Sequence, residues 1–176
     1  KKIQNTENNQ NSPTPSVNLD LASAKSVSRE DAIKSSQRVK FENENVEGSI
    51  ALKGGLIDDI TFKKYNETIK NDKKVTYLNP SETEDGYYIE TGWAASNLKK
   101  TKLPNTETIW AVKGNNKLSV NNPVELEWDN KSGLLFRKKI ELDDKFLFRI
   151  TQEIKNKSNE KIELYPYAQI TRNKNP

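Results

Sequence analysis

Residues 48–65, GSIALKGGLIDDITFKKY, carry the clearest secondary-structure signal in this chain. Two short runs of alternating apolar and polar residues, 48–53 and 56–63, flank the pair Gly54-Gly55. Because glycine readily adopts the left-handed backbone that a tight turn between strands requires, this pattern predicts a β-hairpin. The side chains expected to point inward are Ile50 and Leu52 in the first strand, and Leu56, Ile60 and Phe62 in the second.

A two-residue alternation begins near Val39 and continues to the end of the chain, which is typical of strands with one buried face. The clearest alternation lies on both sides of Asp143-Asp144 and predicts another hairpin. Its inward-facing residues are Leu134, Phe136, Ile140 and Leu142 before the turn, and Phe146, Phe148, Ile150 and Ile154 after it. Further strands are predicted at residues 75–78, 87–93, 108–113, 117–120, 124–128 and 161–171. Strands spaced by about 8 to 12 residues, without helices between them, predict an all-β fold, an antiparallel β-sandwich.

The N-terminal segment has a different composition. Residues 1–27 are rich in Asn, Gln, Ser, Thr, Pro and Lys, so they cannot bury enough apolar surface to offset the entropy of ordering. We therefore expect a disordered polar tether at 1–27 and a folded domain at 28–176. Ser28 can cap one short helix of two or three turns, and Glu30 and Asp31 complement the positive end of its dipole. The chain contains no run of roughly 18 apolar residues, so no membrane span is expected within it.

The sequence contains no histidine and no cysteine. This composition removes the usual general base, the commonest metal ligand and the thiol nucleophile. The remaining candidates are three carboxylate pairs, Asp58-Asp59, Glu125 with Glu127, and Asp143-Asp144. We expect the first pair to point to opposite faces of a strand, the second to face solvent and the third to shape a turn. The chain is therefore predicted not to be an enzyme and to have no catalytic, cofactor-binding or metal-binding residue.

The charge of the chain argues against a nucleic-acid partner. The net charge is only +4, from 29 basic and 25 acidic side chains. The densest basic groups are Lys99, Lys100 and Lys102, and Arg137, Lys138 and Lys139. We interpret both groups as solvated, because a nucleic-acid-binding domain would carry a stronger basic stripe with interleaved aromatic residues.

Three tryptophans, Trp93, Trp110 and Trp128, leave two interpretations open. Aromatic faces stack on sugars, so exposed tryptophans would fit a carbohydrate-binding β-sandwich module. Each tryptophan, however, has the inward parity of the apolar residues in its own strand, and this parity favours a place in the core.

Five segments give the chain a family resemblance. They are GSIALKGGLIDDITFKKY at 48–65, the pair Gly92-Trp93, LPNTETIWAV at 103–112, WDNKSGLLF at 128–136 and LYPYAQITRN at 164–173. Together they resemble the large periplasmic domain of the bacterial YidC membrane protein insertases. The resemblance covers residues 28–176 and implies that they are the N-terminal part of this periplasmic domain. It is spread over many ordinary positions, so no functional residue is carried over from the family.

The resemblance implies a β-supersandwich that is similar in shape to sugar mutarotases and lies between the first two transmembrane helices of a multi-pass protein. It implies a location on the periplasmic side of the bacterial inner membrane. It also implies a non-catalytic accessory role in the insertion and folding of inner-membrane proteins. The implied partners of the intact protein are Sec translocon components and nascent membrane proteins. Mutarotases use a histidine acid with a glutamate base, and this chain has no histidine, so no sugar chemistry and no cofactor are implied.

Overall fold

The computed structural model describes residues 27–96 and 101–174, which form eleven strands and one short helix. Helix α1 spans Arg29–Lys34, and the strands are β1 Arg38–Glu42, β2 Val46–Ala51, β3 Leu56–Asn66, β4 Lys74–Leu78, β5 Tyr87–Ala95, β6 Ala111–Lys113, β7 Lys117–Leu118, β8 Val124–Asp129, β9 Leu134–Leu142, β10 Phe148–Asn156 and β11 Leu164–Arg172. The prediction of an all-β fold with one short N-terminal helix is confirmed. The helix has only six residues, which is less than two turns. The predicted tether lies outside the described residues, apart from Val27.

Two sheets make up the sandwich. The larger has seven strands in the order β11-β5-β3-β2-β1-β7, with β4 paired to the second half of β3. The smaller has four strands in the order β10-β9-β8-β6. The paired strands are antiparallel except for β1 and β7, which run parallel and align Lys40 with Lys117 and Phe41 with Leu118. The predicted antiparallel sandwich therefore holds, with this one parallel pair.

The inner faces of the two sheets share one apolar core. The larger sheet contributes Val39, Phe41, Val46, Ile50, Ile57, Ile60 and Leu78, and the smaller contributes Val124, Leu126, Leu134, Phe136, Ile140 and Leu142. Phe136 joins the two layers, because its ring centroid lies 5.0 Å from that of Trp93 in β5. The inward positions predicted for β9 are therefore correct.

Strands β2 and β3 form the predicted hairpin. Its turn contains Gly54 and Gly55, whose φ angles are 74° and 65°. Both values lie in the left-handed region, where a side chain would be strained. The glycine pair therefore forms the tight turn that the sequence pattern predicts.

A β-bulge interrupts the pairing of β2 with β3. Ser49 pairs with Asp59, but the next residue, Ile50, pairs with Ile57, so Asp58 is an extra residue on β3. A bulge of this kind bends the strand and changes which side chains share a face. The two carboxylates are brought to the same side of the sheet, as the contacts described below show.

The bulge also changes the face of Leu56. Leu56 pairs with Ala51 and lines a cavity with Ala32 of α1, whereas Ile60 and Phe62 pack in or against the core. Leu56 is buried, as predicted, but it does not share the face of Ile60 and Phe62. One additional residue in β3 shifts the two-residue period between them.

Some strand limits differ from those predicted. The strand expected at 108–113 is limited to Ala111–Lys113, and the strand expected at 161–171 begins at Leu164. Phe146 lies in the turn before β10 and is 47% exposed, so its predicted inward position is wrong. The single helix in the described ranges does not have the length and apolar character needed to cross a bilayer.

Candidate functional site

The bulge in β3 creates a cluster of charged residues on the outer face of the larger sheet. Arg38 donates a hydrogen bond from Nε to Ser49 Oγ at 2.7 Å and another from Nη2 to Asp58. Ser49 Oγ in turn donates to Asp59 Oδ2 at 2.6 Å. Arg29 of α1 donates to the other oxygen of Asp59. The expectation that Asp58 and Asp59 point to opposite faces is therefore wrong.

This charged cluster is mostly buried and holds α1 against the sheet. The side chains of Asp58 and Arg38 are 2% and 7% exposed. Burial raises the pKa of Asp58 to about 6, although Arg38 opposes this shift. Both carboxylates already accept hydrogen bonds from guanidinium groups, so the arrangement fits an ion-pair network that positions a helix.

Two cavities flank α1 beside this cluster. One has a volume of about 340 Å³ and is lined by Arg29, Asp59 and neighbouring residues of β1 and β2. The other has a volume of about 300 Å³ and reaches Arg38 and Asp58. Acidic and basic side chains line both cavities, so neither has the single sign of charge that would select a charged ligand.

The other two carboxylate pairs lie where the sequence places them. Glu127 accepts a hydrogen bond from Arg137 Nε at 2.9 Å and lies 3.5 Å from Lys113 Nζ, and Glu125 is exposed. Burial raises the pKa of Glu127, but these two cations outweigh the effect and lower it overall. Asp143 Oδ1 accepts backbone N–H bonds within the β9–β10 turn. Across residues 27–96 and 101–174, no three carboxylates gather into a potential metal site.

Lys138 is a buried lysine that the sequence analysis missed. Its side chain is almost fully buried between the sheets, where Nζ donates to the carbonyl oxygen of Thr91 at 2.7 Å. The ammonium also lies 4.7 Å from the centre of a Trp110 ring. Burial lowers its pKa to about 8, against the weaker effect of Glu90. The prediction of a solvated Lys138 is wrong, although its shared parity with Phe136 and Ile140 was a usable signal.

The remaining basic groups and the tryptophans follow the sequence interpretation more closely. Lys99 and Lys100 lie outside the described residues, and Lys102 is exposed. Trp93 and Trp110 are buried, and Trp128 is half-buried against Phe136 at 5.6 Å. The core interpretation is confirmed for Trp93 and Trp110, which have no exposed face for a sugar.

The β3–β4 hairpin and the β9–β10 turn carry exposed apolar side chains. Nine large apolar side chains are exposed in the described ranges; three of them lie on β3, on β4 or in the loop between them, and two lie in the β9–β10 turn. We call these five the tip patch: Tyr65, Ile69, Tyr77, Phe146 and Leu147. Phe62 lies at the centre of the patch, with ring contacts of 5.2 to 5.8 Å to Tyr65, Tyr77 and Phe146. Sequence alternation gave no indication of this surface, because its members come from two separate hairpins.

Each sheet also has an exposed terminal strand. Among the described strands, β10 pairs with β9 and β11 pairs with β5, and neither has a second neighbour. Ile170 of β11 is 65% exposed. Unpaired backbone along such edges can accept another strand.

Comparison with known proteins gives a consistent family. A family model described as the YidC periplasmic domain matches residues 38–176. The chain is 46% identical over 170 residues to a membrane protein insertase YidC of Pelagibacter ubique, covering 97% of this chain and 30% of that relative. It is 38% identical over 167 residues to a YidC of Methylorubrum extorquens, covering 94% of this chain and 27% of that relative. The chain therefore spans less than a third of the length of these curated relatives.

Proposed function

Because this chain belongs to the YidC periplasmic-domain family, we propose that it is the N-terminal part of the periplasmic domain of a membrane protein insertase. Residues 1–27 form a polar tether, and residues 28–176 belong to the folded domain. The intact protein is a multi-pass protein of the bacterial inner membrane, and this domain lies on its periplasmic side. The observation that carries the proposal is the 46% identity over 97% of the chain.

The domain has an accessory, non-catalytic role in the insertion and folding of inner-membrane proteins. The absence of histidine and cysteine from the whole sequence supports this role, as does the pairing of the buried carboxylates with arginines. Sec translocon components and nascent membrane proteins are the proposed partners of the intact insertase. The family resemblance supports these partners.

The accessory role is tested in cells that depend on the full-length insertase. Residues 28–174 are replaced by a flexible linker, and the insertion of two reporters is measured, one that needs the Sec translocon and one that does not. We expect the Sec-dependent reporter to insert less efficiently and the other to insert normally. Equal failure of both reporters, or no effect on either, would contradict an accessory role with the translocon.

The location is tested separately by protease accessibility of the full-length protein. Protease added to spheroplasts should remove the domain, whereas inside-out vesicles should protect it. A periplasmic and a cytoplasmic marker protein provide the controls. Cleavage only in inside-out vesicles would place the domain on the cytoplasmic side of the membrane and would contradict the proposed location.

A further inference from the structure

We propose that the tip patch is a membrane-docking surface, with Ile69 entering the interfacial layer of an anionic lipid bilayer. The inference begins with the position of Ile69. It lies in the loop between Asn66 and Lys74, the last residue of β3 and the first of β4, and its side chain is fully exposed. A fully exposed apolar side chain in a hairpin loop can enter a lipid interface without rearrangement of the fold.

The aromatic residues of the tip patch have the chemistry of a bilayer interface. Tyr65 and Tyr77 are about half exposed and combine an apolar ring with a polar hydroxyl group. Together with Val75, Phe62 and Phe146, Tyr65 lines an open cavity of about 440 Å³. Tyrosine is enriched where proteins meet lipid headgroups, because its ring and its hydroxyl group suit the apolar and wet sides of that layer.

The charge of the hairpin end favours anionic lipids. Residues 64–74 contain four lysines and two acidic residues, a net charge of +2. Lys73 forms an ion pair with Glu67 at 3.0 Å. Within the described residues, Lys64 and Lys70 form no ion pair and are exposed. Basic side chains beside an apolar tip can reach headgroup phosphates while the tip enters the layer.

The shape of the surface favours a bilayer over an apolar peptide as the occupant. A peptide would be held by a groove, and the open cavity beside Phe62 could contact one. Ile69 lies in the β3–β4 loop and does not line that cavity. A peptide bound there would therefore leave Ile69 exposed, whereas a lipid surface in contact with the loop would cover it. Asp143 and Asp144 lie close to Phe146 in the sequence, and anionic headgroups would repel their carboxylates. We therefore expect weak binding that depends on the salt concentration.

Vesicle flotation of the complete 176-residue chain tests the proposal. We expect the chain to float with vesicles of phosphatidylethanolamine and phosphatidylglycerol, and much less with phosphatidylethanolamine and phosphatidylcholine. One lysine near an anionic surface contributes about a fivefold change in affinity, so Lys70→Glu should lower the affinity at least fivefold. Ile69→Ser should weaken binding to a similar extent. Ile170→Ser is the matched control, because Ile170 is also exposed but lies on β11.

A second readout locates the contact. Tryptophan fluorescence of Ile69→Trp should shift to the blue when anionic vesicles are added, and that of Ile170→Trp should not. Absence of vesicle binding, or equal binding by Ile69→Ser and wild type, would overturn the proposal. So would binding of an apolar peptide without any binding to vesicles, or a dimer that Ile69→Ser dissociates. The assay measures lipid binding alone, so its failure would leave the proposed insertase function standing.

Discussion

The surroundings of Lys138 alter the protonation equilibrium of its side chain. The strand places its side chain between the sheets, where a carbonyl oxygen and an indole ring replace water around the ammonium. These contacts compensate only part of the loss of hydration. As a result, the pKa of Lys138 falls from 10.5 to about 8. A lowered pKa in the folded chain means that the unfolded chain binds more protons between these two values.

The free energy of unfolding of the wild type should therefore rise as the pH increases above about 8. A variant without Lys138 should lack this rise. Between about pH 8 and pH 10, we expect a gain of about 2 kcal/mol for the wild type relative to Lys138→Met. Urea unfolding at several pH values measures the difference. Lys139→Met, on the half-exposed face of the same strand, should follow the wild-type curve. If the free energies of unfolding of Lys138→Met and wild type changed with pH in the same way, the lowered pKa of Lys138 would be contradicted.

Asp58 provides a second prediction at the scale of single residues. Asp58→Asn would leave the buried Arg38 guanidinium without its anionic partner. Removing one partner from a buried ion pair is strongly destabilising, so we expect a loss of about 3 kcal/mol in the free energy of unfolding. Asp72→Asn, in the exposed loop before β4, should change stability by less than about 0.5 kcal/mol. Equal stability of the two variants would indicate that solvent reaches the charged cluster.

At the scale of elements, the β2–β3 hairpin depends on a close approach of two backbones. A Cβ atom at Gly48 would lie 1.8 Å from the carbonyl oxygen of Asp59. Gly48→Ala should therefore force the strands apart and lower the free energy of unfolding by about 3 kcal/mol or more. Gly114→Ala is the control, since its φ of 73° carries strain but no atom lies within 4 Å of the added carbon. That variant should lose about 1 kcal/mol, as measured by urea unfolding.

The same hairpin shows how far the sequence could be interpreted. The glycine pair and the alternating runs predicted the strands and the turn, because both signals are local. The bulge at Asp58 has no local signal, since the register of β3 depends on which residues of β2 it meets. The changed face of Leu56 and the unexpected meeting of Asp58 with Asp59 both follow from this single shift. The burial of Lys138 was missed for a different reason. Its parity with Phe136 and Ile140 indicates a buried position, whereas lysine is usually exposed.

At the scale of the whole molecule, Phe136 connects the two layers. Its ring contacts Trp93 of the larger sheet and Trp128 of its own sheet. Phe136→Ala should lower the free energy of unfolding by about 3 to 5 kcal/mol, because it opens a cavity in the shared core. Unfolding should stay a single transition, with coincident curves from tryptophan fluorescence and circular dichroism. Phe146→Ala, at an exposed turn position, should have little effect, and separate transitions would show that the sheets are independent.

The parallel pairing of β1 with β7 sets a timescale for this molecule. Residues 40 and 117 meet although they are 77 positions apart in the chain. The early hairpin can form within microseconds, but this junction must wait for a long loop to close. A chain with many such distant junctions is expected to complete folding in milliseconds to seconds. Until then the outer side of β1 lacks this partner, so a newly synthesised copy passes through an interval in which chaperones or other chains can reach that strand.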